Sequence, residues 1–127
     1  VTRRRLQAVY GTRAGQVAAL ARGAPDLAVV VDTESGAIAA EFVHAVRVEF
    51  AQTLSDILLR RTLLAYRPGR GRSAIGTFRT VAAAHLGWSE ARIEADIAAY
   101  EAHVAATSGT RFHAPPAARG PIRVGAA

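Results

Sequence analysis

Cysteine and lysine are absent from the chain, aromatic residues make up 6 %, and apolar runs are short. Without cysteine there are no disulfides, no thiolate metal sites and no Cys nucleophile. The same absence leaves the redox compartment unreadable. The apolar stretch 27–31 holds five residues, against the roughly 20 that a membrane-spanning helix needs. No signal peptide is visible, and Val1 stands where an initiator Met would, so a fragment is expected. What is present is 127 residues, half of them apolar and 20 % charged. That predicts one domain with a real core and excludes a wholly disordered chain.

The net charge is +6, and all 16 basic residues are Arg. Guanidinium forks onto carboxylate and phosphate better than ammonium does, but a chain without Lys reads first as GC-rich coding bias. The positive charge gathers at Arg3, Arg4 and Arg5 and over residues 60–79, whereas residues 90–101 are acidic. The basic balance therefore describes ends and a loop rather than the whole surface.

The pattern predicts an all-α protein, a compact bundle of five to six helices without a sheet. Residues 1–109 form the domain and residues 110–127 an irregular tail. A short helix over 2–9 is punctuated by Gly11. Thr12 is placed to cap a second helix that runs to Arg22, burying Val17, Leu20 and Ala21. Residues 27–31 have strand propensity but no evident partner, so an extended segment crossing the core is expected. Residues 38–50 carry Ala39, Phe42, Val43, Val46 and Phe50 at helical spacing. Thr53-Leu54-Ser55-Asp56 matches a capping box and predicts a new helix with Leu54, Ile57 and Leu58 inward. A loop over 68–72 precedes a helix over 73–86, stopped by Gly87. Ser89 caps a last helix whose Ile93, Ile97, Tyr100 and Val104 share one face.

The residues that can carry chemistry are few. Glu41, Glu49, Asp56, Arg60 and Arg61 form the densest ionic cluster. Glu41 and Glu49 lie within about 80° of each other on a helix of 3.6 residues per turn. Paired carboxylates suit general acid–base work, but a partly buried ion-pair network between helices is the simpler reading, and no catalytic, cofactor-binding or metal residue is assigned. His44, His85, His103 and His113 are scattered without ligand spacing. His85 reads as a hydrogen-bonded core or rim residue. Gly69-Arg70-Gly71 is no dinucleotide loop, though a basic loop can dock on something acidic. Ala83, Gly87 and Ile93 have the spacing of a helix-turn-helix, which makes a nucleic-acid-binding module an alternative. Its reading helix would present Glu90, Glu94, Asp96 and Glu101 against a single Arg92, the wrong sign for phosphate. Trp88 reads as the anchor of that corner. A free-standing helical interaction protein is the third reading.

Ala40-Glu41-Phe42-Val43-His44-Ala45-Val46-Arg47-Val48-Glu49, followed by Thr53-Leu54-Ser55-Asp56-Ile57-Leu58-Leu59-Arg60-Arg61-Thr62, resembles the C-terminal helical domain of the aerobic, FAD-dependent glycerol-3-phosphate dehydrogenases and the related α-glycerophosphate oxidases. Tyr10-Gly11-Thr12 is similar to that family's Y-G-S turn, and Leu86-Gly87-Trp88 to the start of its final helix pair; His44 stands where the family often has Tyr. The resemblance covers residues 5–105. It implies a parent enzyme that oxidises glycerol 3-phosphate to dihydroxyacetone phosphate, passing a hydride to FAD and electrons on to a quinone or to oxygen. It implies that the FAD and substrate domains lie upstream, that this fragment holds no cofactor, and that its role is structural, in assembly or in regulation. The Asp56, Arg60 and Arg61 cluster would then lock one helix to another. The partners implied are the upstream domains of the same chain, with a homo-oligomer open and no nucleic acid. The location implied is cytoplasmic, with the parent able to sit peripherally on the inner face of the cell membrane.

Overall fold

A computed structural model describes residues 1–109; the tail expected over 110–127 lies outside the described residues. The fold is mostly helical, as the residue pattern predicts. In chain order it comprises α1 (Thr2–Tyr10), α2 (Ala14–Gly23), a hairpin of β1 (Val30–Asp32) and β2 (Ala37–Ile38), α3 (Ala40–Arg47), α4 (Leu54–Asp56), α5 (Ile75–His85) and α6 (Glu90–Gly109). The packing runs from neighbour to neighbour: α1 on α2, α2 on α3, α3 on α5, α5 on α6, with α4 also against α6.

The core is centred on α3, where Ala40, Phe42, Val43 and Ala45 are buried. Phe42 meets Phe78 of α5 edge-on at 6.1 Å, and Phe78 meets Trp88 at 5.7 Å. This aromatic row ties α3 through α5 to the corner before α6. Each fully buried large side chain contributes about 1.5–3 kcal/mol. On α6, Ile93, Ile97, Tyr100 and Val104 are all buried, as their spacing predicts. Ser89 caps that helix by accepting the N–H of Arg92 at 3.2 Å.

Several local expectations need correction. The segment over residues 27–31 does find a partner: β1 and β2 pair antiparallel, Val30 opposite Ile38 and Asp32 opposite Ala37. The intervening turn is built by Asp32, whose carboxylate accepts the N–H of Ser35 at 3.0 Å and whose carbonyl accepts that of Gly36 at 2.8 Å. Gly36 sits at φ 77°, and a Cβ there would lie 2.7 Å from the backbone nitrogen of Thr2. Only glycine lets the hairpin meet the start of α1, where the Thr2 hydroxyl donates to the Gly36 carbonyl at 2.8 Å. Thr12 does not cap α2. The helix grows out of a 3-10 turn, Gly11–Arg13, and Arg13 before it is already helical at φ −86°, ψ −4°. The extended geometry that a capping hydroxyl needs is therefore missing.

Phe50 does not continue the buried stripe. Helix α3 ends at Arg47, Phe50 turns left-handed at φ 60°, and its side chain is exposed. The capping box is present, with a shift in its return bond. The Thr53 hydroxyl accepts the N–H of Asp56 at 3.0 Å, and the Asp56 carboxylate accepts from Gln52, one residue earlier than the cap. After Asp56 the helix widens into a π turn, Ile57–Arg61, closed by the Thr62 N–H on the Ile57 carbonyl at 2.8 Å. The basic loop docks on α6 of its own chain: Arg70 donates to Thr107 at 2.7 Å, and Arg72 approaches Glu101 at 3.6 Å. No helix among the described residues is long and apolar enough to cross a membrane.

Candidate functional site

The most heavily bonded polar group is Glu41, in the first turn of α3. Its side chain is wholly buried. An acid at a helix start suits the helix dipole, and one carboxylate oxygen accepts the backbone N–H of Ile38 at 2.8 Å. The remaining donors come from α1. Arg5 gives Nε to both oxygens at 3.1 Å and Nη2 to one at 2.9 Å. The Tyr10 hydroxyl donates to the same oxygen at 2.9 Å. A second bond from Arg5 Nη2 reaches the Thr62 carbonyl at 2.9 Å. One guanidinium thus joins α1, the head of α3 and the end of the π turn.

Burial, reinforced by the charge of Glu41, holds the Tyr10 hydroxyl protonated far above its usual range. The ring of Tyr10 stands edge-on to that of His44 at 5.2 Å. His44 is buried, and neither ring nitrogen has a hydrogen-bond partner among the described residues. Its nearest ionic neighbour is Glu49, with Nε2 and Oε1 separated by 3.9 Å. Burial lowers the His44 pKa and Arg13 lowers it further, against opposing fields from Glu49 and Glu41.

The five ionic residues singled out in the sequence do not converge. Glu41 pairs with Arg5, outside that set. Glu49 meets Arg61 at 3.5 Å, a partly exposed contact between the end of α3 and the π turn. Asp56 and Arg60 pair at 3.4 Å as i, i+4 neighbours on one helix, with Arg60 77 % exposed, so they join no two elements. Arg5 was hidden in the sequence among three consecutive arginines. The usable signal was Glu41 itself, because a carboxylate at the head of an apolar helix demands a cation from elsewhere.

The other candidates have structural places. His85 meets Asp26 at 2.7 Å, and its carbonyl accepts from Arg47 at 2.6 Å. Trp88 is buried at the corner, with the Arg92 guanidinium 3.8 Å above its ring. Within α6, Glu94 pairs with Arg79, and Asp96 accepts the N–H of Leu54 at 3.2 Å. Among the described residues no three His, Cys, Asp or Glu side chains gather as metal ligands. An apolar groove of about 630 Å³ lies between α1, α2 and the hairpin and includes Leu6, Ala18 and Val30. The sheet is one antiparallel hairpin among the described residues, with no parallel strand–turn–helix unit to aim backbone N–H groups at a pyrophosphate.

The family described as the C-terminal domain of alpha-glycerophosphate oxidase matches residues 2–93. A glycerol-3-phosphate dehydrogenase of Synechocystis sp. is 35 % identical over 97 residues, 76 % of this chain and 18 % of its own length. One from Mycobacterium leprae is 38 % identical over 98 residues, 76 % of this chain and 17 % of its own length. A glycerol-3-phosphate dehydrogenase 2 of Mycobacterium tuberculosis is 34 % identical over 98 residues. The chain spans under a fifth of the length of these curated relatives. No solved structure gives a significant match.

Two outcomes follow for stability. Replacing Arg5 by Met or Glu41 by Gln should cost about 3–5 kcal/mol in denaturant unfolding, because the partner is left charged and buried. Arg60→Ala should stay within about 0.5 kcal/mol, since an exposed i, i+4 pair contributes little. Equal losses at Arg5 and Arg60 would contradict the assignment. The second outcome concerns pH. The folded His44 resists protonation, so the unfolded chain binds the extra proton. Stability should therefore be flat above the ordinary histidine pKa, about 6.5, and fall as the pH drops below it. Unfolding midpoints between pH 8 and pH 5 read this slope, and His44→Phe should flatten it; an unchanged slope in the variant would refute it.

Proposed function

Because the chain belongs to the family of C-terminal domains of alpha-glycerophosphate oxidase, we propose that it is the accessory helical domain of an FAD-dependent glycerol-3-phosphate dehydrogenase. The body of that enzyme oxidises glycerol 3-phosphate to dihydroxyacetone phosphate, with a hydride going to FAD and electrons passing on to a quinone or to oxygen. FAD and substrate bind upstream of this domain, and no step is assigned to the residues described above. The role of the domain is to brace the flavoprotein body.

The observation that supports this reading is the saturation of Glu41. Both of its oxygens are taken by donors of the chain itself, Arg5, Tyr10 and Ile38. A general base needs a lone pair aimed at substrate, and a carboxylate so enclosed serves as a fastener. The alternative of a nucleic-acid reader is disfavoured by α6, where Glu90 is exposed and only Arg92 is basic, its guanidinium spent on Trp88 and the Gln52 carbonyl.

The test compares the intact polypeptide with the 127-residue chain alone. The intact polypeptide should carry flavin absorbance and reduce an artificial electron acceptor when given glycerol 3-phosphate, whereas the chain alone should do neither. Turnover by the chain alone, or none by the intact polypeptide, would overturn the proposal.

A further inference from the structure

The positive charge of this chain is unevenly placed. Residues 1–25 hold Arg3, Arg4, Arg5, Arg13 and Arg22 and no carboxylate, whereas the rest of the chain is close to neutral. Arg5 is bound to Glu41. From Arg47 to Arg92, each described arginine is held by an acceptor of the chain itself, Arg67 by Glu34 and Arg79 by Glu94 among them. Arg3, Arg4, Arg13 and Arg22 are exposed, and none has an ion pair or hydrogen bond among the described residues.

Three of these four edge one concave surface. The apolar groove between α1, α2 and the hairpin is lined by Leu6, Ala18 and Val30, with Arg3 contributed by α1 and Arg22 by α2. A second concavity adjoins it along α1, sharing Arg3 and Gln7 and adding Arg4. On the α2 side, a Cβ built at Gly15 would meet nothing within 4 Å, so the groove is open to an incoming chain. An apolar recess with a cationic rim fits apolar side chains flanked by carboxylates.

A second copy of this chain cannot supply those carboxylates. Of its ten acidic side chains, Glu90 alone lacks a partner among the described residues. A twofold contact centred on the groove would also set Arg3 and Arg22 against their own copies. Nucleic acid brings phosphates but no apolar side chains for the recess. A membrane surface takes apolar groups that project into it, not a recessed apolar floor.

The matched family is a C-terminal domain, and its match begins at residue 2. The larger part of each relative therefore precedes α1, which is itself one wall of the groove. A tethered segment acts at high effective concentration, which favours it over a free partner. Resting on the reading that the chain is one domain of a longer flavoenzyme, we infer that the α1–α2 groove seats a segment of the remainder of that polypeptide. Its apolar side chains fill the recess and its carboxylates face Arg3 and Arg22.

The 127-residue chain has no cysteine, so a single introduced thiol reports on the groove. Gln7→Cys, which removes bulk, and Gly15→Cys, which enters open space, are made separately in the intact polypeptide and in the chain alone. Alkylation by iodoacetamide is read at that position by peptide mass spectrometry, with flavin content and glycerol 3-phosphate turnover measured on the same intact sample. Both thiols should react severalfold more slowly in the intact polypeptide. Adding Arg3→Glu and Arg22→Glu should remove most of that difference while leaving the melting temperature of the chain alone unchanged or raised. Equal rates in both samples, with turnover intact, would overturn the docking groove and leave the enzyme reading standing. Protection without flavin or turnover would overturn the enzyme reading alone. Protection that survives both charge reversals would overturn the acidic occupant and with it the inference. So would protection that appears in the chain alone as its concentration rises, which names a second copy, or only when phosphatidylglycerol vesicles are added, which names a lipid surface.

Discussion

A carboxylate buried beneath apolar helices is the constraint on which this structure turns. Glu41 has no exposed surface, and an isolated charge in such a place is not tolerated. Arg5 answers it from 36 residues away. In doing so it sets α1 across the head of α3 and, through Thr62, fixes the end of the π turn. Tyr10 completes the shell of donors and brings its ring against His44. Such a pair need not raise net stability over a well-packed apolar substitute. Its effect is to specify position, since the geometry admits one placement of α1.

The two halves of the molecule are held by different means. Toward the N-terminus, polar groups dictate the arrangement: the Asp32 turn, the Gly36 contact with Thr2, and the Arg5–Glu41 pair. Toward the C-terminus, apolar packing dominates, with Phe78 and Trp88 at the corner and the buried stripe of α6. The Pro68–Arg72 loop links these halves by resting on α6, where Tyr100 donates its hydroxyl to the Arg70 carbonyl. The relatives carry the names of enzymes, whereas in this chain both oxygens of Glu41 are taken by donors of the chain itself.

What could be read from the sequence was whatever depends on neighbours within one element. The stripe of α6, its Ser89 cap, the capping hydroxyl of Thr53 and the stop at Gly87 each need only residues within a few positions. The hairpin was missed because β2 is two residues long and too short to register as a strand. Phe50 was misplaced because its spacing continues a helical period that the backbone abandons at Arg47. The ionic cluster was drawn too locally because proximity in sequence stood in for proximity in space: Asp56 and Arg60 pair within one helix, whereas Glu41 reaches back past the hairpin and α2 for its partner Arg5. Three adjacent arginines offer the same charge, and only the turn of α1 selects the second-turn residue Arg5.

The most direct test of the central claim is a double-mutant cycle between Arg5 and Glu41, with unfolding free energies measured for the parent chain, R5M, E41Q and the combined variant. A pair that acts as one buried unit should show strong non-additivity, a coupling of about 2–3 kcal/mol, the upper part of the range for residues in direct contact. Losses that add to within about 0.5 kcal/mol, the behaviour of independent sites, would contradict the account.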